Sequence, residues 1–404
     1  MKKEISSRQF GCLLFVSMVA LKLTFLPTFM YKFAKIDAIF IFLTLILIDL
    51  VSFAFVFRAF VKNPETSFSE FLEKRIGKVF SKFIYLLIFI FFLIKIIFLS
   101  SAGFYFIREA IFQETTLLRY ILISFSILNC LYLFKLNAYS RTVEYFIPVM
   151  IFGLFVCVIL GVFTTKKYDL FPLFTTSPTD FFNGVYSCIF CFGDYIFMLP
   201  LMGKVKIDKK FYKKTFLFMG FAIVLLFSLV VSFYSFFKYT CFAHNHAITD
   251  IIEFVPLSDI IENLDFLPTS IMLFLFIFQS GLFMFCLMIV TKNLFKFKTN
   301  YDSRWLLIPV NVLLLCLIFF VFNSTSEILF YASNYFSLIC AVVISVVSII
   351  VFVLSFIKTK KAQPKSQAVK MFDYDLKWIS EMQKFGQIHS YRRAKSGVKY
   401  EKTF

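Results

Sequence analysis

Apolar runs of bilayer-crossing length alternate with short polar connections as far as residue 357. Ten runs can be marked, at 9–31, 37–60, 80–107, 119–136, 142–163, 180–203, 215–238, 266–291, 303–323 and 328–357. A helix needs roughly 20 apolar residues to cross the hydrocarbon layer, so the pattern predicts ten transmembrane helices. Two of the runs are interrupted. The sixth, Asp180 to Lys204, carries Gly193 and Asp194 near its middle and Pro200 soon after. The first, Gln9–Tyr31, carries Lys22 deep inside, then Thr24 and Pro27. A charge in the hydrocarbon layer costs on the order of 3 kcal/mol and faces a bundle interior or a wet cavity. Glycine and proline permit a break, which is tolerated where the freed backbone lines such a cavity. Ten spans divide as five plus five, and an odd number per half inverts one half relative to the other. The two interrupted runs then occupy corresponding positions, which points to a binding site at the midplane. The expected fold is an all-α integral membrane protein with a five-plus-five inverted repeat and broken first and sixth helices. Residues 1–357 form the transmembrane domain and 358–404 a basic tail.

Composition strengthens this picture. The chain is 60% hydrophobic with a mean hydropathy of +0.84, beyond the globular range of about 45–50% apolar. A net charge of +18 would suit a nucleic-acid binder, but the charges sit in short connections and the tail. With the N-terminus placed in the cytoplasm, 33 of the 42 Lys and Arg fall on cytoplasmic pieces and 7 on external loops; Lys22 and Lys95 lie within spans. The positive-inside rule then sets both termini inside, and no nucleic-acid partner is expected. MKKEISSRQF lacks a following small-residue cleavage site and reads as the entry to a retained first span. The nine cysteines, eight of them in apolar segments, exclude a disulfide framework. Cys188 and Cys191 read as small packing residues.

The connections carry less information. Tyr239–Asp265, the largest external loop, holds Asp250, Glu253, Asp259, Glu262 and Asp265 with His244 and His246, and no Lys or Arg between them. It reads as a solvated acidic loop with one or two short amphipathic helices, and no metal is expected there. On the inner side, Pro64 and Thr66 open an amphipathic helix leading into the third span. In the tail, Phe372, Leu376, Ile379, Met382 and Phe385 recur at helical spacing beside Trp378. A helix on the anionic inner leaflet and a disordered tail both fit. The sequence has no phosphate loop, no H-E-x-x-H and no Ser-His-Asp set. No enzyme activity, cofactor or metal is expected.

Several stretches resemble one family in order along the chain. ISSRQF opens the first span and Leu26-Pro27 closes its core. PETSFSEFLEKRIGKVFSK precedes the third span, QETTLL forms an external turn, and SRTVEYFIP starts the fifth. YDLFPLFTTSPTDFFNG and FGDYIFMLP lead into and through the sixth, and FVPLSDIIENLDFL precedes the eighth. The sequence resembles the B subunit of bacterial spore germinant receptors, a branch of the amino acid–polyamine–organocation transporter superfamily, over roughly residues 5–300 and more weakly to 357. The resemblance implies a nutrient-sensing subunit in the inner spore membrane, binding a small nutrient of the amino-acid kind and working with A and C receptor subunits and membrane lipid. A proton-coupled amino acid permease and a non-transporting scaffold subunit are the alternatives. Asp194 stands where the family commonly has Glu. The middle of the first span, VALKLTFLP, has Ala20 and Lys22 where the family carries small residues.

Four ionisable residues lie deep in spans: Lys22, Asp49, Lys95 and Asp194. Two are positive and two negative, which suggests pairing. The resemblance implies that the first and sixth spans face each other, so Lys22 and Asp194 would bridge the two breaks. They would then hold the charged ends of a ligand or carry a proton, or form a fixed ion pair in a scaffold; both readings stand. Lys95, about ten residues from either end of its span, is placed at the cavity. The expected ligand-binding set is Lys22, Thr24, Lys95, Gly193, Asp194, Gln279 and Ser280. Asp49 is read as structural, and Glu144 is expected to pair with Arg141.

Overall fold

The computed structural model describes residues 4–110, 135–164, 173–253, 266–295, 303–321 and 329–357, with a few positions between 124 and 133. The chain divides into two units, Met1–Ile357 and Lys358–Phe404. The tail, and with it the amphipathic pattern from Phe372 to Phe385, lies outside the described residues, as does most of the fourth span.

The described residues are helical throughout, apart from a single pair of bridged residues and short connections. Among the described residues, seven helices are long and apolar enough to cross a membrane. The remaining three of the ten expected spans have separate explanations. The first is broken into two short helices, α1 (Ser7–Val19) and α2 (Leu26–Ala34). The fourth is mostly undescribed. The ninth, α10 (Leu307–Val321), is shorter. The other spans are α3 (Ala38–Lys62), α4 (Phe68–Ala110), α5 (Lys135–Thr164), α7 (Phe211–Phe237), α9 (Phe266–Leu294) and α11 (Leu329–Leu354), with α6 (Pro178–Cys188) beginning the sixth. A short helix, α8 (Ala247–Glu253), lies in the loop before α9.

Local chemistry explains the ends. Ser6 and Gln9 form a capping box at the start of α1: Gln9 N–H donates to Ser6 Oγ at 3.3 Å, and Ser6 N–H to Gln9 Oε1 at 2.8 Å. Ser177 caps α6, with Pro178 in the first turn. The cap of α4 is Ser67, which accepts from Glu70 N–H at 3.3 Å. Thr66, expected at that position, donates back to Asn63 O instead. Gly77, at φ 79°, kinks α4 between its amphipathic first turns and its membrane-crossing part. The left-handed region favours glycine there.

Helix packing repeats with a shift of five spans. The first span packs on the seventh and the fifth, and the sixth packs on the second and the tenth. The second packs on the tenth, and the seventh on the fifth. The third packs on the eighth, its own counterpart under the shift. Advancing every span by five maps this set of contacts onto itself, as two inverted halves require.

Candidate functional site

Both interruptions open the helix at mid-span. In the first span, α1 ends in a 3₁₀ turn at Ala20–Lys22, and α2 starts at Leu26 with Pro27 in its first turn. Gln279 from α9 donates through Nε2 to Ser17 O at 2.9 Å, and Tyr234 from α7 donates to Pro27 O at 2.7 Å. Both flanks of the break therefore have carbonyls held by side chains of neighbouring spans. In the sixth span, a 3₁₀ turn at Ile189–Cys191 ends in extended Phe192, and Gly193 follows at φ 79°. Beyond Gly193 the chain does not return to an α-helix. It runs as a 3₁₀ segment, Asp194–Met198, and then as turns up to Gly203 and Lys204. An ideal Cβ on Gly193 would lie 2.5 Å from Ile344 of α11, so close approach and backbone sign both select glycine.

The charges meet between these breaks. Lys22 Nζ lies 2.7 Å from Asp194 Oδ2, and Lys95 Nζ 2.7 Å from Asp194 Oδ1. Lys95 also donates to Phe192 O at 2.7 Å. All three side chains are 1–2% exposed. Asp49 on α3 accepts the Gly193 N–H at 2.8 Å. Two ammoniums on one carboxylate, with a second carboxylate on the adjoining amide, leave the cluster formally neutral. Burying these ions costs several kcal/mol each, which mutual pairing and further hydrogen bonds must offset. Phe192 adds a ring face 4.8 Å from Lys22 Nζ.

A small crevice opens on this cluster, bordered by Lys22, Asp49 and Phe192 with apolar walls from Met18, Phe53 and Met219. Its free volume of about 10 Å³ equals about one water. The site is closed around its own charges.

Of the seven expected residues, Lys22, Lys95, Gly193 and Asp194 come together. Thr24 donates at 3.4 Å to Leu21 O in its own turn, and its carbonyl accepts from Ala247 N–H. Gln279 holds the end of α1; its Oε1 is buried without a hydrogen-bond partner among the described residues. Ser280 is buried beside it. Glu144 pairs with Arg8 at 3.3 Å, not with Arg141, because α5 turns Glu144 toward α1 and leaves Arg141 exposed. Two features went unread in the sequence. One is the Phe192 carbonyl, which no residue type announces. The other is the part Asp49 plays at the break, for which its position at mid-span was the available signal.

Two further attachments frame the site. Asp37, just after α2, accepts N–H bonds from Phe174, Thr175 and Thr176 at 2.7–2.9 Å. It thereby ties the end of the first span to the entry of the sixth. The 244–247 segment lies over α2: Thr28 Oγ1 donates to His244 O, and His246 pairs with Glu109 at 3.0 Å. Asp250 of α8 accepts the His246 N–H at 3.1 Å, and burial pushes its carboxyl above the usual carboxylate range. Among the described residues no His, Cys, Asp or Glu cluster could hold a metal.

An all-helical bundle with inverted halves and a charged centre between two broken helices is the architecture of secondary transporters. Solved structures share the fold. A crystal structure of MhsT in complex with L-phenylalanine is 13% identical, with a TM-score of 0.60, covering 88% of this chain and 100% of that one. A mutant of the Eremococcus coleocola manganese transporter is 10% identical, with a TM-score of 0.60, covering 90% of this chain and 83% of that one. A second mutant of the same transporter gives 0.59 at 10% identity over the same shares. No curated protein matches the sequence significantly. The chain belongs to the spore germination protein family, whose model matches residues 4–328. It is a multi-pass membrane protein and not an enzyme.

Proposed function

We propose that this chain is the ligand-sensing membrane subunit of a spore germination receptor, and that a small nutrient of amino-acid type binds where the first and sixth spans break. The observation that carries this is the Lys22–Asp194 pair, 2.7 Å apart and buried, with Lys22 at the edge of the crevice. A zwitterion suits such a pair. Its carboxylate takes the Lys22 ammonium, and its own ammonium replaces Lys22 at Asp194 Oδ2. No buried charge is left alone, which is the costly outcome. The crevice admits about one water, so binding requires the breaks to part. The ligand selects that open state by its differential affinity. In this reading the protein lies in the inner spore membrane with its N-terminus and the 204–214 segment in the cytoplasm and the 239–253 segment outside, an orientation supported by the excess of Lys and Arg in the inner connections. A and C subunits would read out the open state.

Asp194→Asn keeps the shape and removes the charge. Nutrient binding to the purified protein, followed by calorimetry, weakens while the fold survives. Unchanged affinity would move the site elsewhere. A second reading, a proton-coupled permease, is favoured by the likeness to solved transporters along most of the chain. Uptake of labelled nutrient into proteoliposomes under a proton gradient separates the two.

A further inference from the structure

The two lysines are not equivalent. Lys22 borders the crevice and hydrogen-bonds only Asp194 among the described residues. Lys95 is set behind it and reaches two oxygens, Phe192 O and Asp194 Oδ1, each at 2.7 Å. The first is a carbonyl freed where the sixth span unwinds; the second opens the turn beyond. A freed carbonyl at the end of a half-helix, beside a carboxylate, is an arrangement that coordinates a small cation in a membrane. A lysine ammonium is a compact point charge with three donors on a flexible stem. It meets such oxygens without a free ion having to be stripped of water.

We propose that Lys95 is a tethered cation: its ammonium fills a monovalent-cation site formed by Phe192 O and Asp194 Oδ1, and holds the break of the sixth span closed without any dissolved ion. Lys22 is then the exchangeable partner of the carboxylate and Lys95 the fixed one. This assignment deepens the functional reading above, yet its test needs no nutrient. The two can therefore fail separately.

The test is thermal unfolding of the purified full-length protein at constant ionic strength. Wild-type protein melts at the same temperature in sodium, potassium and N-methylglucamine chloride. Lys95→Ala removes a fragment the size of n-propylammonium, and Tm falls by about 10 °C. Millimolar n-propylammonium restores at least half of that loss; n-propanol, of similar size and uncharged, restores none. Lys95→Met fills the space without the charge, loses Tm, and does not respond to n-propylammonium. The proposal is overturned if sodium or potassium specifically stabilises the wild type, if Lys95→Ala melts as the wild type does, or if n-propylammonium and n-propanol act alike. Should Lys95→Ala purify only unfolded, the wild-type salt series decides. Equal Tm supports the tethered cation, and an ion-specific rise sinks it.

Discussion

Asp194 serves two cations with one carboxylate, so its removal leaves both uncompensated. Losing either partner of a buried pair costs about 3–5 kcal/mol. Lys22→Met and Asp194→Leu should each lower the thermal stability of the purified protein strongly. In the double variant the Lys22 share of the loss is recovered, while Lys95 still lacks its counter-ion, so recovery is partial. A double-mutant cycle reads this coupling directly, because contacting groups behave non-additively. Strictly additive losses would contradict the 2.7 Å contact. The sequence revealed the buried charges, since a mid-span Lys or Asp is conspicuous on an apolar background, and the family resemblance implied that Lys22 and Asp194 meet. It did not reveal that Lys95 shares the same acid. Two acids and two bases can pair in more than one way, and only the packing of the third span against the eighth and the broken sixth decides among them. Glu144 teaches the same lesson. Arg141 lies at helical spacing from it, yet the longer-range Arg8 is its partner.

Among the elements, the sixth span carries the sharpest constraint. Gly193 sits in the left-handed region, where a non-glycine residue costs about 1–3 kcal/mol, and its missing Cβ leaves room for Ile344. Gly193→Ala therefore combines backbone strain with a clash against a π-helical stretch of α11, Val343–Val347. The expected result is a Tm drop larger than that of Gly220→Ala, a glycine on α7 with open space around it. Equal drops would mean that the break relaxes freely. That a break exists was legible from Gly193, Asp194 and Pro200 together. The path of the chain beyond the break was not. YIFMLPLM has the composition of a helix, and its 3₁₀ course is set by neighbours: Tyr195 hydroxyl meets Ser348 Oγ at 3.2 Å, and Cys286 Sγ lies 3.8 Å from Phe197 O.

For the whole molecule, the basic connections predict one orientation, with Lys206 inside and Asn245 outside. A cysteine at Asn245 should react with an impermeant maleimide from outside, and one at Lys206 should not. Lys206 labelled from outside would reverse the topology while leaving the fold intact. The two faces also differ in how they are closed. On the 239–253 side, the turn at Lys238–Ala243 packs on α2 and Thr28 reaches His244 O, while the short helix packs on the fifth, seventh and eighth spans. On the other side the closure is made mostly by backbone. Glu4 and Ile5 N–H groups donate to Lys204 O, Lys206 N–H donates to Ile5 O, and Ser7 Oγ reaches Lys206 O.

That small backbone bridge, Ile5 against Val205, has a kinetic meaning. It joins the start of the first span to the end of the sixth, so two pieces far apart in sequence are yoked into one cooperative unit. Amide hydrogens of a structure exchange with solvent only when their unit opens, and each unit opens with its own free energy. The Ile5 and Lys206 amides should accordingly show one common protection factor once each rate is divided by its intrinsic value. That factor would report what fraction of the time this side of the protein is apart, before any ligand is added.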